Sequence, residues 1–105
     1  MAEEPLDPSV LSPRFSEITR EILFDDIWQR PILTPRERSM VVIAAQTAQY
    51  RNDQLRRHVL RALKNGVTKE ELGEIFLQLA FYSGWPAAAN GMEMAREALA
   101  EWESD

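Results

Sequence analysis

Apolar residues recur at helical spacing along most of the chain, and the breaks in that pattern predict five helices. From Arg14, Phe15, Ile18, Ile22, Leu23 and Ile27 mark one amphipathic face that ends near Trp28 and is stopped by Pro31. Thr34-Pro35-Arg36-Glu37 is a helix start: the threonine oxygen satisfies orphan amides, the proline is preset for the first turn, and Glu37 completes a capping box. The second helix should run from residue 38 to about residue 50. Its stretch 40–45 is apolar on every face, which predicts a helix surrounded by protein. Asn52 or Asp53 is placed to cap a third helix with Leu55, Val59, Ala62 and Leu63 on one stripe, closed by Asn65-Gly66. Thr68 and Glu71 form a second capping box, opening a fourth helix with Leu72, Ile75, Phe76 and Leu79 at the i, i+3, i+4, i+7 spacing. It should stop near Gly84. Pro86 then starts a fifth helix, in which Ala87, Ala88, Ala89 and Gly91 are small enough to let a neighbour approach closely.

No strand pattern or internal repeat interrupts this series, so the expected fold is all-α. A length of 105 residues suits one domain, over residues 14–105, preceded by a loosely ordered, acidic and proline-rich lead-in at residues 1–13. The predicted helices carry more apolar face than a monomer of this size easily covers, and a homo-oligomer is expected. The net charge of −5 and pI near 4.9 argue against nucleic acid or an anionic membrane as partner. With no cysteine, disulfides, thiolate metal sites and thiol redox chemistry are excluded together. Glu3, Glu4 and Asp7 have the wrong sign for a secretory leader, and no apolar stretch approaches the roughly 20 residues of a membrane span. The expectation is a soluble, cytoplasmic protein.

His58 is the single histidine, and the only side chain that titrates near neutral pH without perturbation. It borders the apolar stripe of the third helix; for an arbitrary histidine there, the plain role is a ring satisfied by a nearby carboxylate or carbonyl. Arg38, Arg51, Arg56 and Arg57 offer forked donors that match a carboxylate, although 17 acidic residues are available to pair with them. Glu37, Glu70 and Glu71 have capping or helix-dipole work to do. Glu74, one turn into the fourth helix, is freer and is a candidate to orient His58 through its second ring nitrogen. Tyr82, Trp85 and Trp28 combine apolar bodies with polar tips and suit either a pocket wall or a core. One histidine, no cysteine and no His-x-x-x-His or Glu-x-x-His spacing make a metal improbable, and no glycine-rich phosphate loop supports a nucleotide cofactor.

Several motifs in order carry a resemblance. Trp28-Gln29-Arg30-Pro31, Leu33-Thr34-Pro35-Arg36-Glu37-Arg38, Leu55-Arg56-Arg57-His58, Asn65-Gly66-Val67-Thr68-Lys69-Glu70-Glu71 and Tyr82-Ser83-Gly84-Trp85-Pro86 resemble the carboxymuconolactone decarboxylase family, within the wider alkylhydroperoxidase D-like superfamily, over roughly residues 15 to 99. The resemblance implies an alkylhydroperoxidase D-like helical subunit, assembled as a trimer or hexamer, with sites near subunit contacts. It also reverses the odds on His58, which stands where the family has its histidine, and implies a general acid/base role. Arg38 matches the arginine that follows the family's second-helix cap. The peroxide-reducing relatives place a glutamate and a Cys-x-x-Cys pair ahead of that histidine; here Ser39, Arg51 and Gln54 hold those positions, so disulfide-based peroxidase chemistry has no atoms to run on. The implied activity is cofactor-independent decarboxylation of a small carboxylated lactone, as in aromatic-compound degradation. His58 and Glu74 would be catalytic, with Arg38, Ser39, Arg51, Gln54, Tyr82 and Trp85 around the substrate. A related isomerase or tautomerase shares the demand for stabilising an enolate-like anion, and a non-catalytic oligomer binding a small acid is the reading from a different class.

Overall fold

The structure, a computed structural model, describes residues 10–104. The first nine positions of the expected lead-in, and Asp105, lie outside the described residues. All regular elements among the described residues are helical, and the chain divides into two units that meet in sequence between Ile32 and Leu33.

In the first unit Ser12 caps α1 (Pro13–Ile18), its side chain accepting from the Phe15 amide at 3.0 Å, and Pro13 occupies the first helical position. The expected single helix to Trp28 is not continuous. The Thr19 hydroxyl donates to the Phe15 carbonyl at 2.9 Å, a side-chain bond that competes with the backbone ladder. The chain then widens into π-helical turns over Thr19–Phe24, closed by the Asp25 amide on the Arg20 carbonyl at 2.9 Å. A 3-10 turn at Ile27–Gln29 follows, fastened by Gln29 Nε2 on the Phe24 carbonyl and by the Phe24 and Trp28 rings, whose centroids are 6.4 Å apart.

The second unit holds α2 (Pro35–Ala48), α3 (Asn52–Lys64), α4 (Lys69–Tyr82) and α5 (Trp85–Ser104). Both expected capping boxes form: Glu37 donates its amide to Thr34 Oγ1 and Glu71 its amide to Thr68 Oγ1, each at 3.1 Å, while each glutamate carboxylate accepts from its threonine's amide. Gly66 and Gly84 take positive φ at the ends of α3 and α4, as helix-stopping glycines should. The start of α3 differs from expectation. Tyr50 adopts φ 57 and turns the chain early, so Arg51, and neither Asn52 nor Asp53, stands at the N-cap without a side-chain bond.

The core gathers Ile43 from α2, Leu55, Val59 and Ala62 from α3, Leu72 and Phe76 from α4, and Ala95 and Ala98 from α5. Helix α5 packs on α3, α4 and α2, and α3 packs on α2. The fully buried residues of α5 are all small, Ala87, Ala88, Gly91, Ala95 and Ala98. Gly91 is the tightest point: a methyl there would lie 2.7 Å from Phe76 Cε1 and 2.9 Å from Thr47 Cγ2. Stretch 40–45 of α2 is not enclosed on all sides within one chain, since Val41 is 59% exposed. Among the described residues, no helix is long and apolar enough to cross a membrane.

Two glycines give opposite expectations. Gly91→Ala should lose about 1–3 kcal/mol, because Phe76 and Thr47 are both fully buried and have little room to retreat. Gly73→Ala, in a helix interior with nothing near the new methyl, should gain roughly 0.5–1 kcal/mol. Urea unfolding of the two variants checks this, and equal midpoints would contradict the close approach at Gly91.

Candidate active site

Helices α2 and α3 form an antiparallel pair joined by a turn at residues 49–51, and these two helices with their turn carry most of the sequence-predicted site residues. At one end Asn65 Nδ2 donates to Ser39 Oγ at 3.0 Å. Ser39 is buried, so its hydroxyl is already engaged in fixing the register of the two helices. Arg38 beside it is half-buried, with its Nε shielded from solvent. Towards the other end lie Gln54 and His58, both half-buried on α3, while Arg51 is exposed at the helix start.

His58 is flanked along α3 by Arg57 and Arg61. Partial burial, which penalises the charged ring, is the largest influence on its proton affinity. The two guanidinium groups add to it, and together they lower the pKa below the usual 6.5. The imidazole is therefore held neutral at pH 7 in a locally cationic setting, a condition that an anionic ligand would reverse.

The other candidates are placed elsewhere. Glu74 is exposed on α4, α3 and α4 share no extended packing, and no carboxylate is among the influences on His58. Within one chain Glu74 and His58 are therefore not brought together. Tyr82 and Trp85, with Leu77 and Phe81, form an outward apolar group at the α4–α5 turn; Tyr82 is 79% exposed and Trp85 67%. Arg36 pairs with Glu71 and Arg56 with Glu101, so these two arginines tie helices together. A groove of about 410 Å³ between α4 and α5, floored by Leu72, Phe76, Ala95 and Leu99, contains none of the predicted site residues. Among the described residues, no three His, Cys, Asp or Glu side chains come together to hold a metal.

Sequence reasoning passed over two polar residues near the end of α2. Gln46 Oε1 and Thr47 Oγ1 are sealed from solvent and have no hydrogen-bond partner. Thr47 presents its methyl to Gly91, which explains its burial. Nothing comparable explains Gln46. The signal that could have found it is its spacing, seven residues after Ser39 on the same helix face.

A model of the carboxymuconolactone decarboxylase family matches residues 13–97. A 4-carboxymuconolactone decarboxylase of Acinetobacter baylyi is 40% identical over 83 residues, 79% of this chain and 62% of that protein. A nitrosuccinic acid decarboxylase of Metarhizium robertsii is 30% identical over 79% of this chain and 58% of its own length. An uncharacterized 15.0 kDa protein of Paracoccus denitrificans is 34% identical over 77% of this chain and 62% of its own. The chain thus spans about three fifths of the length of the curated relatives it matches.

As the single histidine, His58 gives one unambiguous proton resonance pair. Its midpoint should lie below 6.5, and Arg57→Ala and Arg61→Ala should each move it upward without fully restoring 6.5, because burial is the larger cause. The sign for stability follows: the unfolded ring binds its proton more readily, so this contribution is intact above pH 6.5 and is lost as pH falls toward the folded midpoint. A wild-type midpoint at or above 6.5 would contradict the assignment.

Proposed function

The chain belongs to the carboxymuconolactone decarboxylase family, and from that premise we propose that it is a carboxy-lyase acting without cofactor on a small carboxylated lactone of the 4-carboxymuconolactone type. Two of the matched relatives are named as decarboxylases, one of a lactone and one of a nitro acid. The observation that carries the reading to a mechanism is His58, a lone half-buried imidazole among cations on the matched part of the chain.

In such a lactone the departing carboxylate is borne on a saturated ring carbon next to the ring double bond, which is itself conjugated with the lactone carbonyl. When the carbon–carbon bond breaks, its electron pair flows into that carbonyl, carbon dioxide leaves and a dienolate remains. Protonation of the ring carbon beside the carbonyl restores the lactone. The substrate is its own electron sink, so the protein has to supply orientation, local positive charge and one proton. Arg38 suits a carboxylate through its two-pronged donor geometry, with Arg51, Gln54 and Ser39 as neighbours on the same helix pair. His58 delivers the proton. In the free protein the ring is neutral; two carboxylates arriving beside Arg57 and Arg61 offset those charges and raise its proton affinity, so substrate binding loads the acid.

The working form in this proposal is a helical trimer or hexamer. The outward Leu77, Phe81, Tyr82 and Trp85 support it, since a group of large apolar side chains left in water favours a protein partner. In that assembly Tyr82, Trp85 and Glu74 reach substrate or His58 only across subunits.

Turnover of authentic 4-carboxymuconolactone, followed by lactone loss and carbon dioxide release, tests the proposal. His58→Ala should lower kcat by at least about 100-fold with helicity and assembly unchanged. The alkaline limb of kcat should lie at higher pH than that of kcat/KM, because the bound dianion raises His58 above its free-protein value. Full activity of His58→Ala would remove the imidazole from the chemistry, and absence of turnover by the assembled wild type would exclude this lactone as substrate.

A further inference from the structure

Helices α4 and α5 run antiparallel through the short turn at residues 83–84, and one face of the pair is left uncovered. On α5 that face is Trp85, Ala89, Met92 and Arg96, at the i, i+4, i+7, i+11 spacing of one helical stripe; on α4 it is Gly73 and Leu77, with Phe81 at its edge. Bulk and hollow lie at opposite ends of it. At the turn end Phe81 is 80% exposed and Leu77 52%, beside the equally outward Trp85. At the other end the groove of about 410 Å³ opens between Leu72, Gly73 and Phe76 on one side and Ala95, Leu99 and Ala100 on the other. Gly73 helps to keep it open. A methyl there would meet nothing within 4 Å, and its φ is not positive, so neither packing nor chain geometry within the subunit calls for a glycine that weakens the helix. Close approach by something outside the subunit does. Charge follows the same plan: residues 75–92 include no charged side chain, Glu74 and Glu93 bound that run, and Lys69, Arg96 and Glu103 border the groove. An uncharged centre within a charged rim is the make-up of a protein interface.

We propose that this face is a two-fold contact with a second copy of the chain, in which Leu77, Phe81 and Trp85 of each copy fill the hollow beside Gly73 of the other. The partner is a second copy because the face is complementary to itself. A two-fold axis across the middle of an antiparallel helix pair exchanges its two ends, so each subunit's bulk arrives on the other's hollow and both are covered at once. The size fits as well. Helices of 14 and 20 residues lying side by side give a face about 20 Å by 20–30 Å, which with the relief of its side chains is on the scale of the roughly 800 Å² per partner that a stable contact covers. This deepens the assembly put forward above and rests on it. A two-fold contact requires an even number of subunits, so of trimer and hexamer it selects the hexamer, two trimers joined face to face. Trp85 then packs in the partner's groove in place of meeting substrate, while Tyr82, half a turn round α4 from Gly73, stays outside the contact.

Sedimentation equilibrium on the full chain tests the contact, with circular dichroism as the check on folding. The wild type should contain an even number of subunits. Leu77→Glu sets a charge at the centre of the face. Gly73→Gln fills the hollow while replacing glycine with a better helix former, whereas a single methyl there leaves most of the hollow open. Each variant should halve the mass, hexamer to trimer, and raise the concentration of half-dissociation by at least about thirtyfold with helicity kept. A monomeric or strictly trimeric wild type would overturn the proposal, and so would variants that keep the wild-type mass. Capture of a monomeric wild type by phosphatidylcholine vesicles would overturn it too and give the face to lipid. Turnover is read separately: an inactive hexamer that both variants split would count against the decarboxylase reading alone.

Discussion

Helix α5 buries five residues, and none is larger than alanine. Packing distance between helices is set by the side chains at the contact, so this stripe lets α3, α4 and α2 all close on one helix. Small residues bury little area themselves, and the larger apolar groups come from the partners: Ile43, Leu55, Val59, Leu72 and Phe76. Gly91 is where the arrangement is tightest, with Phe76 of α4 and Thr47 of α2 arriving on the space a methyl would need. Moving α5 outward to relieve that point would loosen its packing against all three helices at once.

Helix α3 meets α5 and, through the same apolar core, Ile43 of α2, and one polar contact is added where α2 begins and α3 ends. The Ser39–Asn65 hydrogen bond fixes register here, because a shift of one residue along the helices would separate the pair and leave two polar groups without partners. The electrostatics of the seam run against those of the whole chain. A net charge of −5 repels anions at long range, but fields between exposed charges fade over about 10 Å in ordinary salt. Arg57, Arg61 and Arg38 lie within that range of the seam's polar residues by their positions on α2 and α3. The field at His58 is therefore local and cationic, and Arg57 and Arg61 add to burial in favouring the neutral ring.

The helices were legible where local chemistry alone decides them. Thr34 with Glu37 and Thr68 with Glu71 close their caps within four residues, so no tertiary information is needed to read them. The π-helical turns of the first unit were not legible, because the spacing of Ile18, Ile22 and Leu23 suits an unbroken α-helix and only the Thr19 and Asp25 hydrogen bonds reveal the wider turn. The start of α3 was misjudged for a related reason: Asn52 and Asp53 are good caps, but the left-handed Tyr50 completes the turn one residue earlier. Nor does periodicity say which apolar faces stay outside, and Val41, Phe81 and Trp85 are the result.

The site was legible in part. His58 stood out as the only histidine, and its position on α3 beside Arg57 and Arg61 agrees with a role that needs a tunable proton. Glu74 drew notice because a carboxylate is the usual partner of a working imidazole, yet it lies exposed on a helix with no extended contact to α3. Gln46 carries no charge, belongs to no motif and follows an apolar run, so its spacing from Ser39 is the one mark the sequence gives it. Its buried side-chain carbonyl without a partner is a product of tertiary packing and is seen only once the helices have closed on one another.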